Sequence, residues 1–249
     1  MHLKQFIHRV THHVPTVSAH SAYESWAPRY DQREDNAFLF AEEQAFIPLL
    51  ESLSFAGKRV LDFGCGTGRH LVRCLNRQAR ALVGIDFSRP MLMQAASKSR
   101  SEEPFTLLEG SVDALPFQDS EFDVGISALV LSHCADLSLP ISEMSRVLRQ
   151  GAVALVSDWH PENDKRGWKR SFETKADDGS IRRFAARSHR HSLIEYQHEF
   201  RQHGLVVEQM LEPTMDASLE PIFHRTNMMQ VYQQYAGSPL VVIFVLRKL

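Results

Sequence analysis

The stretch Val60-Leu-Asp-Phe-Gly-Cys-Gly-Thr-Gly-Arg-His70 constrains this 249-residue chain more than any other. Apolar Val60 and Leu61 climb into glycines at alternate positions, Gly64, Gly66 and Gly68, and Leu71, Val72, Cys74 and Leu75 follow in a helix-like pattern. The order is strand, tight loop, helix. Without Cβ atoms, glycines reach backbone angles closed to other residues and let a ligand lie directly on the main chain. The helix that follows aims free N–H groups and the positive end of its dipole at whatever occupies the loop. Such a loop belongs to open α/β sheets that bind ligands at the carboxyl ends of their strands.

The glycine spacing separates two cofactor classes. Counted from Gly64, the dinucleotide fingerprint Gly-x-Gly-x-x-Gly needs its third glycine at position 69. The chain has Arg69 there, and its third glycine is Gly68. The next apolar run, Ala81 to Ile85, ends on Asp86. An acid at that strand tip, about 20 residues past the loop, is placed to accept hydrogen bonds from ribose hydroxyls. Ser88 follows as the expected cap of the next helix.

Asp62-x-Gly64-x-Gly66-x-Gly68 and Asp86-Phe87-Ser88-x-x-Met91-Leu92 resemble the first two motifs of class I S-adenosylmethionine-dependent methyltransferases. The likeness is to the small-molecule enzymes of the menaquinone/ubiquinone and biotin pathways. It extends to Gly110-Ser-Val-Asp-Ala-Leu-Pro-Phe117 and to Arg146-Val-Leu-Arg-Gln-Gly151, where Ala152 replaces a usual second glycine. The resemblance implies a Rossmann-like three-layer α/β sandwich. Its seven-stranded sheet is mostly parallel with an antiparallel last strand, joined by an N-terminal helical lid and a cap inserted after the fifth strand. The implied cofactor is S-adenosylmethionine, with S-adenosylhomocysteine as product. The residues implied to hold it are Asp62, Gly64, Cys65, Gly66 and Gly68 in the loop, then Asp86, Phe87 and Met91, then Ser111, Val112 and Asp113, and Ser127. Ser111 is a departure, standing where the family has an aspartate that receives the adenine amino group. Its hydroxyl accepts the same bond without charge, Asp113 is a substitute two residues on, and the Val112 N–H is available to an adenine ring nitrogen. Trp26-Ala-Pro-Arg-Tyr30-Asp31 resembles the lid segment whose tyrosine closes over the methionine part of the cofactor.

Two histidines are candidate proton acceptors, since imidazole titrates near neutral pH. His133 follows the buried strand Glu121–Ser127 at the carboxyl side of the sheet, and His160 sits just past the end of the fifth strand. Each has an ordinary alternative, a backbone-bonded or pocket-shaping ring. Many methyl transfers need no base when the nucleophile is already electron-rich.

The remaining chain is divided as one domain over 1–249: an arm and lid (1–35), a cofactor core (36–158), a cap (159–190), and a C-terminal part of the core with a helical insertion (191–249). The cap reads as a hairpin, residues 170–175 and 181–185, joined through Asp177-Asp178-Gly179-Ser180. Its many Lys and Arg residues suit an anionic or aromatic acceptor, or docking of an acidic acyl-carrier protein. Net charge of −2 and a pI near 6.7 give no bulk electrostatic reason for a nucleic-acid partner. No apolar run reaches the roughly 18 residues of a membrane helix. The chain start shows no signal-peptide apolar region. Cys65, Cys74 and Cys134 lie in or beside apolar segments without metal spacing, in keeping with reduced thiols and a cytoplasmic setting. Adjacent His12 and His13 cannot share one face as ligands, so no metal is expected. Besides methyl transfer to a small molecule or a carrier-bound carboxylate, two other classes stay open. One is a nicotinamide-dependent oxidoreductase and the other a non-catalytic S-adenosylmethionine-binding regulator.

Overall fold

A computed structural model describes residues 14–31, 36–99, 104–175 and 179–249. The His12-His13 pair, the first residues of the arm, and Asp177-Asp178 of the expected hairpin turn lie outside the described residues.

In chain order the elements are β1 (Thr16–Val17), α1 (Ala19–Trp26), α2 (Ala37–Ser52), β2 (Arg59–Phe63), α3 (Arg69–Cys74), β3 (Ala81–Asp86), α4 (Arg89–Ala96), β4 (Phe105–Glu109), β5 (Phe122–Ala128), α5 (Ser138–Val147) and β6 (Leu148–Trp159). Then follow α6 (Pro161–Lys165), β7 (Ser171–Lys175), β8 (Ile181–Ala186), α7 (Leu193–Gln202), β9 (Leu205–Leu211), α8 (Glu220–Arg225), α9 (Met229–Tyr235) and β10 (Val241–Lys248).

Seven strands form one sheet in the order β4-β3-β2-β5-β6-β10-β9. The pairs from β4 to β6 are parallel, and β10 runs antiparallel to both β6 and β9. Strand periodicity explains the layers. In β2, Val60 packs with Phe46, Leu71 and Val124 on one face, while Leu61 and Phe63 pack with Ile141, Met144 and Phe200 on the other. Both faces are therefore covered by helices, as the near-continuous apolar character of parallel strands requires. Fully buried Ile243 and Phe244 of β10 split between the same two layers. Each such side chain contributes about 1.5–3 kcal/mol of hydrophobic stabilisation.

Local signals account for most element ends. Asn36 caps α2 by accepting from the Leu39 N–H at 3.1 Å. Ser192 and Glu195 form a reciprocal capping box at the start of α7, which is why that helix begins at Leu193 and not near Ser188 as its apolar spacing suggests. Ser88 precedes α4, but its hydroxyl makes no capping bond and is buried without a partner. Its N–H donates to Asp86 Oδ1 at 2.8 Å instead. The helix expected around residues 227–235 is α9, and a further helix, α8, precedes it across Asn227 with φ 55°.

The cap hairpin β7–β8 is antiparallel, and β8 also pairs in parallel with the short β1. This second, three-stranded sheet lies against α1, where Ala22, Trp26, Phe172, Phe184 and Ala186 pack together. The cap and the lid are thus one unit. Among the described residues no helix is long and apolar enough to cross a membrane, and no cluster of ligating side chains is arranged for a metal ion.

Candidate active site

At the carboxyl ends of β2, β3, β4 and β5 lies a cavity of about 260 Å³. Gly64, Gly66, Asp86, Phe87, Met91, Ser111, Val112, Asp113 and His133 line it, together with Tyr23 and Tyr30 from above. Gly64 has φ 69°, and a Cβ there would lie 2.6 Å from Val130 Cγ2, so the loop cannot pass the β5 end with any larger residue. Gly66 has φ 53°, and a Cβ there would meet no atom within 4 Å, so its main chain stands bare beside the cavity. Asp86 ties this loop to the next strand. Its Oδ2 accepts from the Gly66 N–H at 2.8 Å and its Oδ1 from the Ser88 N–H at 2.8 Å. Burial raises the Asp86 carboxyl above its usual range, and the two N–H donors oppose that rise.

Beneath the loop, Asp62 is buried and its Oδ2 has no hydrogen-bond partner. Burial pushes its pKa up to about 8, against the opposing charge of Arg69. Ser127, at the end of β5, is also buried with an unpartnered hydroxyl. Cys65 is buried, and Gly68 precedes α3 with φ 73°. None of Asp62, Cys65, Gly68 and Ser127 lines the cavity itself. At the family's adenine position, Ser111 Oγ accepts from the Asp113 N–H at 3.2 Å and lies 3.3 Å from Asp113 Oδ2, so the two residues form one small polar turn.

Arg69, where a dinucleotide fold needs glycine, is buried and donates to Glu42 Oε2 at 2.7 Å. Ser157 donates to the other Glu42 oxygen at 2.9 Å. Burial alone would raise Glu42; Arg69, by its charge and hydrogen bond, and neighbouring His70 together outweigh it and hold the carboxyl at about 2.

The lid is latched to the loop. Asp31 Oδ1 accepts from the Thr67 hydroxyl at 2.8 Å, Asp31 Oδ2 pairs with Lys98 Nζ at 2.6 Å, and Lys98 also donates to the Thr67 carbonyl at 2.7 Å.

His133 lies in the cavity wall within a dense network. Its Nδ1–H donates to the Arg187 carbonyl at 2.9 Å, which leaves the lone pair on Nε2. Arg170 Nη1 donates to that nitrogen at 2.8 Å, and the Tyr23 hydroxyl lies 2.8 Å from it. Burial, aided by the Arg170 charge, pushes the imidazole down to about 4. At neutral pH His133 is uncharged and its lone pair is engaged. Burial also raises the Tyr23 hydroxyl, which stays protonated. Arg170 in turn donates to the Leu129 carbonyl at 3.1 Å and to Asp158 Oδ1 at 2.9 Å. Asp158 is fully buried and also accepts from the Ser132 N–H and hydroxyl, both 2.6 Å, and from the Tyr196 hydroxyl at 3.1 Å. One buried pair thus pins the cap to the strand ends.

His160 is placed elsewhere. It does not line the cavity. Its Nδ1 accepts from the Glu162 N–H at 3.2 Å as the cap of α6, and its Nε2 lies 2.8 Å from Glu212. It does stand just past a strand end, since β6 runs to Trp159, but the ring is used to cap the helix that starts there.

A second, narrower pocket of about 60 Å³ adjoins the cavity. Tyr23, Tyr30 and Leu129 line both. Trp26, Phe38 and Trp159 supply further rings, and Asn36, Lys169, Arg170 and Ser171 the other polar groups. Leu129 at the shared wall has φ 63°, the left-handed region. A non-glycine residue there costs about 1–3 kcal/mol and persists when neighbours over-determine it. Here the Leu129 N–H donates to the Ser157 carbonyl at 2.8 Å, and its own carbonyl accepts from Arg170.

Tyr23 and Arg170 were not singled out as site residues in the sequence. Tyr23, Trp26 and Tyr30 stand three and four residues apart, the spacing of one helical face, and that was the available signal for Tyr23. Arg170 carried none, since its role depends on a partner buried in another element.

The fold and the glycine-loop cavity define an α/β protein built to bind an adenosyl cofactor. The methyltransferase-domain family profile matches residues 61–156. A 2-phytyl-1,4-naphtoquinone methyltransferase of Nostoc punctiforme is 31% identical over 156 residues, 59% of this chain and 67% of that protein. A malonyl-[acyl-carrier protein] O-methyltransferase of Xylella fastidiosa is 34% identical over 119 residues, 46% of this chain but 40% of the relative's length. A crystal structure of an S-adenosylmethionine-dependent methyltransferase from Mesorhizobium loti superposes with a TM-score of 0.63 at 19% identity, covering 84% of this chain and 98% of that one. The chain belongs to the S-adenosylmethionine-dependent methyltransferase family.

Proposed function

We propose that the chain transfers the methyl group of S-adenosylmethionine to a small-molecule acceptor seated in the narrower pocket. The observation that carries this reading is the shared wall: Tyr23, Tyr30 and Leu129 separate a glycine-loop cavity from an aromatic pocket. The cavity suits the cofactor through the bare Gly66 main chain, the Asp86 carboxylate at the strand tip, apolar Phe87 and Met91, and the Ser111–Asp113 turn. When bound, S-adenosylmethionine supplies a methyl group on a sulfonium, activated for in-line displacement. Asp86 accepts from the ribose hydroxyls while it holds the loop, and Ser111 with Asp113 receives the adenine amino group. The latched lid, with Tyr30 over the cavity, excludes water and orients the reacting groups, which must meet at about 3–3.5 Å. His133 holds Tyr23 and Arg170 in place and does not act as a base, since its lone pair is engaged.

A second reading, carboxyl methylation of a carrier-bound substrate, draws support from the name of the Xylella relative and from exposed Arg182, Arg187 and Arg190 on the cap side. It requires affinity for an acidic carrier that falls as salt is added. The nicotinamide alternative receives no support, because Arg69 is committed to Glu42.

The test is incubation with methyl-labelled S-adenosylmethionine and a panel of small carboxylic acids, phenols and amines. Label in a small product, lost in Asp86→Ala, is the expected result. Label that stays in the donor across the panel, with tight donor binding, would favour the non-catalytic regulator.

A further inference from the structure

The narrower pocket is more informative about its occupant than about the donor, and its polar chemistry is one-sided. Among the described residues no carboxylate lines it. Asn36 spends its Oδ1 on the Leu39 N–H, which leaves the amide N–H groups as donors. Arg170 lines the pocket, but its charge is answered by fully buried Asp158 at 2.9 Å, so it adds rigidity and not net charge. Lys169 is different. It lines the pocket, is exposed, and has no ion pair or hydrogen bond among the described residues. Among the described residues the pocket therefore carries one positive charge without a counter-charge, Lys169 at its mouth, with Trp26 and Trp159 among its walls. Aromatic walls alone also attract cations, and Lys169 opposes that use.

A second line converges on the same occupant. His133 Nε2 is taken by Arg170 and lies against the Tyr23 hydroxyl, and Tyr23 itself is a donor held protonated by burial. Among the described residues, no side chain facing the pocket is free to remove a proton from a neutral acceptor. An acceptor that arrives already ionised needs no such group.

We infer that this site selects an acceptor ionised at neutral pH, a small planar apolar body bearing an oxyanion, with Lys169 as the residue that reads the charge. The inference rests on the methyl-transfer reading. The acceptor oxygen forms the new O–C bond as the donor's C–S bond breaks and its electron pair stays on sulfur. Anion and sulfonium give two neutral products, and no proton moves. The pocket's volume of about 60 Å³ limits the part it takes to a fragment of single-ring size or less.

Benzoate, benzyl alcohol and benzylamine form a nearly isosteric series of charge −1, 0 and +1, and quenching of Trp26 and Trp159 fluorescence reports occupancy without turnover. Titrations are run on the full chain with and without saturating S-adenosylhomocysteine, whose own affinity is measured by calorimetry. Benzoate is expected to bind several-fold tighter than either analogue, and Lys169→Gln to erase that preference with S-adenosylhomocysteine affinity unchanged. Lys169→Arg should retain it. Equal or tighter binding of benzyl alcohol or benzylamine, no saturable quenching by benzoate, or a preference that survives Lys169→Gln would overturn the inference. Absence of S-adenosylhomocysteine binding would instead count against the methyl-transfer reading, because the benzoate preference is read in its absence as well.

Discussion

Asp86 does two jobs with one carboxylate. It fixes the glycine loop through the Gly66 N–H, and it lines the cavity where, on the proposed reading, it accepts from the cofactor's ribose hydroxyls. Charge-assisted hydrogen bonds contribute about 1.5–3 kcal/mol each, so Asp86→Ala should weaken S-adenosylhomocysteine binding by about 10- to 100-fold in a calorimetric titration. Unchanged affinity would remove Asp86 from the site. Arg69 is the residue that distinguishes this loop from a dinucleotide loop, and the structure supplies its reason: it neutralises fully buried Glu42. Arg69→Gly restores the dinucleotide spacing but strands that carboxylate. The expected loss is about 3–5 kcal/mol of stability in urea unfolding, with no gain of NADH binding. A variant of near-native stability would show that Glu42 finds another partner.

The elements carry a different lesson. Among the described residues, the side chain of Asp31 ties the lid to the loop by bridging Thr67 and Lys98. Asp31→Ala should raise the dissociation rate of S-adenosylhomocysteine several-fold in stopped-flow measurement while leaving thermal stability nearly unchanged, as the pair is half-exposed and worth about 1 kcal/mol or less. An unchanged dissociation rate would mean that the lid is held by its aromatic packing alone. How far such features could be read beforehand follows from their range. The glycine loop, Asp86 and the alternation from β2 to β6 are local, because period and punctuation along a few residues determine them. The hairpin β7–β8 was legible from its two short runs. Its partner β1 was not, since two residues, Thr16 and Val17, carry no periodicity and pair in parallel with a strand far along the chain. The same limit hid the Arg170–Asp158 pair, whose meaning depends on burial from several elements at once. His160 and Ser88 show the converse: residue type and position suggested a role, and the local hydrogen bonds gave the ring a helix cap to make and the hydroxyl none.

Across the whole molecule, the buried titratable groups set the pH response. His70 and His133 both have pKa values pushed down to about 4, by burial first and then by Arg69 and Arg170 respectively. The unfolded chain binds protons that these rings refuse, so their contribution is complete above about 6.5 and is lost as pH falls toward 4. Asp62 has the opposite sign. With its pKa raised to about 8, its contribution is full below the ordinary carboxylate value and is lost as pH rises through 8. Chemical denaturation across pH should therefore show a maximum near 6.5, with a decline toward 8 that Asp62→Asn flattens. A decline that persists in Asp62→Asn would assign the upper limb to other groups.

The binding and turnover expectations depend on one claim, that the glycine-loop cavity holds an adenosyl methyl donor. Calorimetric titration of the purified chain, stripped of carried-over ligand, with S-adenosylmethionine, S-adenosylhomocysteine and NADH in parallel tests it most directly. Saturable one-site binding of both adenosyl compounds, with no heat from NADH, is the predicted result. Binding of NADH with neither adenosyl compound, or no binding of any of the three by the folded chain, would contradict it.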